Sequence, residues 1–261
     1  MDSPNAPSST KADQLLAIAA TGLTKRYGET VAVDDLDLRI PPGTVYGFLG
    51  PNGAGKTTTI EMLTTLTPPT EGEARVMGVP ITDRDRVKQH LGYLPHEPPV
   101  YESFNAREQL AFAADIRQVD PSIADERIDS LLDRIGLLAD ANDRIGTYSQ
   151  GMRRKVGLLQ ALLHEPDVAF LDEPTSGLDP RASRTVIELI REQVEAGTTV
   201  FLSSHILPVV EELADTVGVL YRGRLVAEDS PEQLVERTER ADEAGTLEAA
   251  FLEVTTDRDS V

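Results

Sequence analysis

The chain has 261 residues, a formal net charge of −19 and no cysteine. Without cysteine it forms neither disulfides nor thiolate metal sites. The excess of carboxylates argues against a nucleic-acid partner, because nucleic acid is bound mainly through lysine and arginine. The sequence has no apolar run as long as a transmembrane helix needs, so we expect no direct membrane insertion.

The acidity also predicts a halophilic source. A chain with this charge repels itself in dilute buffer, whereas at molar salt the Debye length falls to about 3 Å and screens that repulsion. The alternative is an ordinary acidic cytosolic protein.

In chain order, residues 1–13 come first and are rich in Ser, Pro and Ala, which is typical of a disordered tail and not of a signal peptide. Short apolar runs then alternate with helix-compatible stretches, which predicts an α/β fold with a mostly parallel sheet. The predicted strands are Leu15–Thr21, Thr44–Leu49, Leu91–Leu94, Val168–Leu171, Thr199–Ser203 and Val217–Tyr221, the last continuing into a hairpin strand at Arg224–Ala227.

Between about 100 and 165 the pattern becomes helical. Asp120 and Pro121 are typical of a helix start, and Gly136 lies near the expected end. Four apolar residues recur at helical spacing between them, at Ile128, Leu131, Leu132 and Ile135. The sequence therefore predicts a helical insert within the parallel sheet.

The segment after the strand at 44–49 matches G-x-x-x-x-G-K-[ST], a loop that cradles nucleotide phosphates. Its backbone N–H groups and the following helix N-terminus attract anions. Lys56 supplies charge to the outer phosphates, and Thr57 offers a hydroxyl to Mg²⁺. The alternative is a glycine-rich turn with an incidental lysine. The candidate nucleotide-binding residues are Gly50, Pro51, Asn52, Gly53, Ala54, Gly55, Lys56, Thr57 and Thr58.

Two acids end the strand at 168–171. Asp172 is suited to holding Mg²⁺, and Glu173 to orienting or deprotonating the attacking water. The alternative is a strand that ends in acids because it meets solvent there. Together with the upstream phosphate loop, the pattern favours catalysis.

His205 follows the strand at 199–203 and can donate a hydrogen bond to a bound γ-phosphate. A solvated loop histidine is the alternative. His90 and His164 are interpreted only as solvated residues.

The order of these motifs resembles the ATP-binding subunit of an ABC transporter, closest to drug- and lipid-exporter ATPases. The resemblance covers about residues 15–230. Tyr27 matches the residue that stacks on adenine, the run from Tyr148 to Met152 matches the family signature, and the run from Asp172 to Asp179 matches the Walker B and D-loop segment.

The resemblance implies an ABC ATPase domain at 14–235, with an antiparallel β part near its N-terminus and a helical subdomain at about 96–165. Residues 236–261 would be a short C-terminal extension. It also implies ATP and Mg²⁺ as ligands, and a homodimer or pseudo-dimer that sandwiches ATP. Ser149 and Gly151 would then contact the γ-phosphate held by the other subunit, and Asp179 would help the two sites communicate.

Ser149 can also cap a helix that begins at about Gln150, leaving its N-terminus facing an anion. Arg153, Arg154 and Lys155 would add positive charge to that surface. The alternative is three solvated basic residues.

The chain departs from the family pattern in two places. Tyr148 and Gln150 replace the usual Leu and Gly of the signature. His96 replaces a Gln that reaches towards Mg²⁺ and the membrane partner. The imidazole could hold Mg²⁺, or it could keep only the mechanical role.

The resemblance implies an ATPase that powers a separate membrane permease from the cytoplasmic face of the membrane, as a peripheral subunit. Residues 98–108 lie where relatives contact their permease, and Tyr101 and Phe104 would suit docking or the core equally. The segment Thr246–Thr255 resembles exporter ATPases.

Two other function classes compete. A DNA-repair or ribosome-associated ABC ATPase is disfavoured by the short separation of Lys56 and Ser149, which leaves no room for a long coiled coil, and by the negative charge. A nucleotide-dependent regulator without turnover is the other, suggested by His96 and Gln150.

Overall fold

The computed structural model describes residues 16–239 and 246–256, so the predicted tail at 1–13 lies outside the described residues. In chain order the elements are β1 (Ile18–Tyr27), β2 (Thr30–Ile40), β3 (Val45–Leu49), α1 (Lys56–Leu63), β4 (Glu71–Val76), β5 (Val79–Pro80), α2 (Arg84–His90), β6 (Leu91–Leu94), α3 (Ala106–Ile116), α4 (Pro121–Arg134), α5 (Gln150–Leu162), β7 (Val168–Asp172), α6 (Pro180–Glu195), β8 (Thr199–Ser204), α7 (Leu207–Leu213), β9 (Thr216–Tyr221), β10 (Arg224–Asp229), α8 (Pro231–Glu239) and α9 (Leu247–Thr256).

The larger sheet has the order β10-β9-β3-β8-β7-β6. Neighbours from β9 to β6 pair in parallel, and β10 adds an antiparallel edge through the predicted hairpin. All residues of β3, β7 and β8 are buried. Strands that are covered on both faces have continuous apolar sequences. For this reason the bounds predicted from the sequence are correct to within one residue. The predicted parallel α/β fold is confirmed.

The smaller sheet, ordered β2-β1-β4-β5, is antiparallel, as the resemblance implied. The predicted strand Leu15–Thr21 is wrong in its bounds, because β1 begins at Ile18 and continues to Tyr27. Pairing with β2 extends it that far, from Ile18 opposite Ile40 to Tyr27 opposite Thr30.

The predicted helical insert is present as α3, α4 and α5, between β6 and β7. Asp120 caps α4 by accepting from the Ser122 N–H at 2.8 Å, and Gly136 follows its end with φ 69°. The predicted apolar face is also confirmed: Ile128, Leu132 and Ile135 are buried, and Leu131 packs against them.

An apolar cluster joins the larger sheet to the smaller one. Tyr46, Phe48, Phe170 and Phe201 are buried there, and the Phe48 and Phe201 ring centroids are 5.1 Å apart. Among the described residues, no helix combines the length and the apolar character that crossing a bilayer needs.

Three central strands end at one edge of the larger sheet. Leu49 at the end of β3 pairs with Ser204 of β8, and Asp172 at the end of β7 pairs with Ser203 of the same strand. Ligands of open parallel sheets bind outside the carboxyl ends of the strands. The predicted motifs therefore meet because these three strands are neighbours.

Candidate active site

A cavity of about 560 Å³ lies at this edge of the sheet. It brings together residues that are far apart in the sequence, and a second cavity of about 190 Å³ continues it along the phosphate loop. The lining of the larger cavity is Gly50, Pro51, Asn52, Lys56, Thr57, His96, Asp172, Glu173 and His205. The smaller one adds Ala32, Gly53, Gly55 and Thr58. Ala54 is buried behind the loop.

The phosphate loop is packed against β2 and needs glycine at its last turn. Gly55 has φ 110°, and a Cβ there would lie 2.3 Å from the Ala32 carbonyl oxygen. The loop leads directly into α1, which begins at Lys56. The N-terminus of α1 thus opens at the cavity, in the arrangement that binds phosphate.

Lys56 is buried, and its ammonium is held by the loop itself. Nζ donates to the carbonyl oxygen of Gly50 at 2.6 Å and to that of Pro51 at 3.2 Å. Burial lowers the pKa of Lys56 from its usual value, while the carboxylates of Glu173 and Asp172 act in the opposite direction.

Asp172 and Thr57 supply neighbouring oxygen atoms. The Thr57 hydroxyl donates to Asp172 Oδ2 at 3.3 Å, and the buried Ser203 hydroxyl donates to Asp172 Oδ1. A carboxylate and a hydroxyl are the hard oxygen ligands that Mg²⁺ prefers, and Mg²⁺ sites in proteins commonly use one or two carboxylates. These residues therefore fit the predicted ion.

Glu173, which lines the cavity, has a strained backbone conformation. Its φ of 54° places a non-glycine residue in the left-handed region, which costs about 1–2 kcal/mol. Its side chain is buried: Oε1 lies 2.7 Å from His205 Nδ1, and Oε2 is buried without a hydrogen-bond partner among the described residues. Glu173 lines the cavity, so its carboxylate is placed to accept from a water molecule there.

Ser149, Gly151 and Asp179 lie outside the cavity of their own chain. Ser149 caps α5 as predicted, with Oγ accepting from the Met152 N–H at 3.2 Å. Asp179 caps α6 by accepting from the N–H groups of Arg181 and Ala182, both at 2.9 Å. The Ala182 hydrogen bond is the main reason that the pKa of Asp179 is lowered.

The interpretation of Arg154 as part of an anion-facing surface is wrong, because its side chain is buried; Arg153 and Lys155 are partly exposed and bond to groups of their own chain. The guanidinium of Arg153 bonds to Glu102 and to the Gly146 carbonyl, and Lys155 Nζ donates to the Ile135 carbonyl at 2.9 Å. Arg154 is only 3% exposed and points beneath the active-site strand. A buried basic side chain such as that of Arg154 is directed to carbonyl groups and not to solvent.

Gln150, which replaces a family glycine, lies against the D-loop run. A Cβ added to Gly177 would be 3.5 Å from the Gln150 Oε1 atom. The longer side chain therefore has room beside Gly177, and Ser149 remains exposed next to it.

Tyr27 also lies outside both cavities, at the turn between β1 and β2, and the residue is 50% exposed. Lys25 Nζ lies 5.0 Å from the centre of that ring. Ala32, which lines the phosphate-loop cavity, is on the next strand.

The interpretation of His164 as a solvated residue is wrong, whereas His90 is one third exposed and pairs with an exposed aspartate. His90 Nδ1 lies 2.7 Å from Asp167 Oδ2. His164 bonds to the Leu91 carbonyl, and burial lowers its pKa to about 4.

The sequence left open whether Tyr101 and Phe104 belong to a docking surface or to the core. They form a cluster with Phe112 in which Tyr101 is 53% exposed.

Sequence reasoning missed two residues that support the site, Ser203 and Arg154. The end of β8 was recognised, and a serine there beside an expected magnesium ligand was the available signal for Ser203. No local signal indicated Arg154, because its acceptors belong to other segments.

Comparison with known proteins agrees with this geometry. Residues 33–176 match the family model described as ABC transporter. The chain is 44% identical to the daunorubicin/doxorubicin resistance ATP-binding protein DrrA of Streptomyces peucetius, over 84% of this chain and 66% of that protein. It is 38% identical to the bacitracin transport ATP-binding protein BcrA of Bacillus licheniformis, over 85% and 72%.

A solved structure of an ATP-binding subunit of an ABC transporter superposes with a TM-score of 0.84 at 28% identity, covering 91% of this chain and 99% of the other. The phosphate loop and the acids at the end of β7 lie within the residues that match the family model. The chain belongs to the ABC transporter family and is an ATP-binding ATPase subunit.

Proposed function

We propose that this chain binds Mg-ATP at the phosphate loop, hydrolyses it and thereby powers a separate membrane permease. The observation that carries the proposal is the meeting of Lys56, Asp172, Glu173 and His205 around one cavity. Within the family fold, this set provides phosphate charge, metal ligands and a water-orienting carboxylate.

Each residue then has a stated task. Lys56 and the loop N–H groups hold the phosphates, and Thr57 and Asp172 hold Mg²⁺. When bound, Mg²⁺ neutralises charge on the phosphate oxygens. The Glu173 carboxylate accepts from the attacking water, and His205 stays beside Glu173 as a γ-phosphate donor. His96 lines the same cavity and remains a candidate ligand of the metal.

We propose that the active form is a homodimer or pseudo-dimer. Ser149 and Asp179 are exposed and absent from the lining of their own cavity, so the phosphate contact of Ser149 and the communication role of Asp179 require a second subunit. The α5 N-terminus next to Ser149 offers N–H groups to an anion supplied from outside the chain.

The permease would dock on the side of the chain that carries α3. The cluster of Tyr101, Phe104 and Phe112 is partly exposed there. A separate cavity of about 500 Å³ ends at Ile116 of the same helix and is also lined by Leu66. Exposed apolar patches of this kind mark protein interfaces. This contact would hold the subunit peripherally at the cytoplasmic face of the membrane.

Export is the proposed direction. The relatives named above are a daunorubicin/doxorubicin resistance protein and a bacitracin transport protein. We also propose how the chain is divided. It has an ATPase domain at 14–235, with a helical subdomain at about 96–165, and an extension at 236–261.

The test is whether the full chain turns over ATP in the presence of Mg²⁺ and associates with a second copy when ATP saturates it. We expect phosphate release and a scattering mass that doubles with nucleotide. Tight ATP binding without release of phosphate, also in the presence of the permease, would instead support a regulator.

Tyr27 provides a test of adenine recognition. We expect Tyr27→Ala to raise the dissociation constant for ATP about 10-fold, because stacking on a base contributes about 1–3 kcal/mol. Tyr27→Phe keeps the aromatic face and should bind as the wild type does. Equal ATP affinity in Tyr27→Ala, measured by calorimetry, would show that this ring does not contact the base.

We also propose that the chain is adapted to high salt, on the basis of its net charge of −19. We expect the melting temperature to rise by about 5 °C or more from dilute to multimolar KCl, which for a domain of this size corresponds to ~2 kcal/mol. Sucrose is the control, since it favours burial without screening charge. Stability that is greatest in dilute buffer would contradict the proposal.

A further inference from the structure

Arg154 is a buried cation whose hydrogen bonds all go to backbone carbonyls of the active-site segments. Its Nη1 atom donates to the carbonyl oxygens of Asp172 at 3.0 Å and Glu173 at 3.1 Å. Its Nη2 atom donates to the carbonyl oxygen of His96. One guanidinium therefore joins helix α5, the end of β7 and the segment that follows β6.

The Arg154 guanidinium contacts a strained part of the backbone, at Glu173. Glu173 has φ 54°, and its N–H donates to the Ser203 carbonyl at 3.0 Å. Its carbonyl accepts from both Arg154 and the Ser176 N–H. A residue in the left-handed region keeps that conformation only when its surroundings hold it.

Burying an arginine beneath this strand is costly, which indicates that the arrangement serves more than packing. Burial lowers the pKa of Arg154, and the nearby carboxylates of Asp172 and Glu173 only partly offset this. The planar fork of guanidinium nitrogens is what lets one side chain reach three carbonyls at once, which a lysine ammonium does not reproduce.

The helix that carries Arg154 also packs tightly against the segment after His96. A Cβ on Gly157 would lie 2.4 Å from the Cβ of Pro98. Any shift of α5 against the sheet would therefore alter the contacts to His96 and to Glu173 together.

We propose that Arg154 is a positioning residue for ATP hydrolysis: it holds the Glu173 backbone so that the Glu173 carboxylate faces the cavity. The proposal rests on the ATPase function proposed above. Arg154 touches neither of the two cavities, so it acts through Glu173 and not on the nucleotide.

The test compares Arg154→Met and Arg154→Lys in the full chain, with Arg127→Met as the matched control. Arg127 lies in the same helical region and donates to the Leu163 carbonyl at 3.0 Å, away from the cavity. The measurements are kcat and KM for ATP, and hydrogen exchange of the Ser176 amide in the nucleotide-free protein.

We expect Arg154→Met to lower kcat on the order of 100-fold, because misplacing a catalytic group by about 1 Å has effects of that size. KM should change by less than about threefold, since the phosphate loop is intact. The Ser176 amide should exchange faster, Arg154→Lys should recover part of kcat, and Arg127→Met should match the wild type.

Wild-type kcat in Arg154→Met, or a raised KM with unchanged kcat, would overturn the positioning role and leave the ATPase function standing. If Arg154→Met does not fold, Arg154→Lys decides by the same criterion. If the wild type itself does not hydrolyse ATP, the proposed function fails. Unchanged hydrogen exchange of the Ser176 amide in the variants would separately overturn the role of Arg154 in holding the Glu173 backbone.

Discussion

The Glu173→Gln variant is expected to lose ATP turnover on the order of 10³-fold and to accumulate as a nucleotide-bound dimer. The carboxylate is buried in the cavity, with one oxygen beside His205 and the other unsatisfied. An amide keeps the shape but cannot take a proton from water, and general-base catalysis contributes about 10²–10⁴-fold. ATP would then stay uncleaved between two subunits.

Two measurements check this result, phosphate release and the scattering mass at saturating Mg-ATP. Glu195→Gln is the matched control, because it removes the same charge from an exposed position at the end of α6. It should turn over ATP as the wild type does. A Glu173→Gln protein that stays monomeric with ATP, or that hydrolyses it at the normal rate, would contradict the assigned role.

Lys56→Met is expected to weaken ATP binding about 10- to 100-fold and to abolish turnover. Hydrogen bonds from a charged donor contribute about 1.5–3 kcal/mol, and the ammonium is the only basic side chain among the residues lining the phosphate-loop cavity. The variant should lose affinity for ATP more than for nucleotides that lack the γ-phosphate.

The variant should nevertheless fold. Burial disfavours the charged form of Lys56, as its lowered pKa shows, so an apolar replacement removes a desolvation cost. The loss of the hydrogen bonds to the Gly50 and Pro51 carbonyls acts in the opposite direction, so we expect a melting temperature close to that of the wild type. Arg84→Met, which removes an exposed cation on α2, is the control for net charge. Normal ATP affinity in Lys56→Met by calorimetry would contradict the assignment.

Local patterns predicted most of the larger sheet and α4. The buried strands are continuous apolar runs, and α4 has its capping aspartate, proline and glycine within the sequence itself. The smaller sheet was predicted less completely: β2 was not among the predicted strands although its second half alternates buried and exposed residues, and β1 reaches Tyr27 only through pairing with β2. The sequence of one strand alone does not determine which strand it pairs with.

The site divides in the same way. Motif and order identified Lys56, Asp172, Glu173 and His205, because the phosphate loop and the strand-ending acids have their chemistry in contiguous residues. The orientation of Arg154 on α5 was misinterpreted, since the sequence shows that an arginine is present and not which carbonyl groups it reaches.

The amino-acid sequence by itself determined the fold class, the family and the residues available for phosphate and metal chemistry, because each depends on short-range spacing. Only the tertiary structure decided that Glu173 has a left-handed backbone and an unsatisfied oxygen, and that Arg154 lies beneath it. Those features arise where α5, β7 and the segment after β6 meet, and close packing between distant segments sets them.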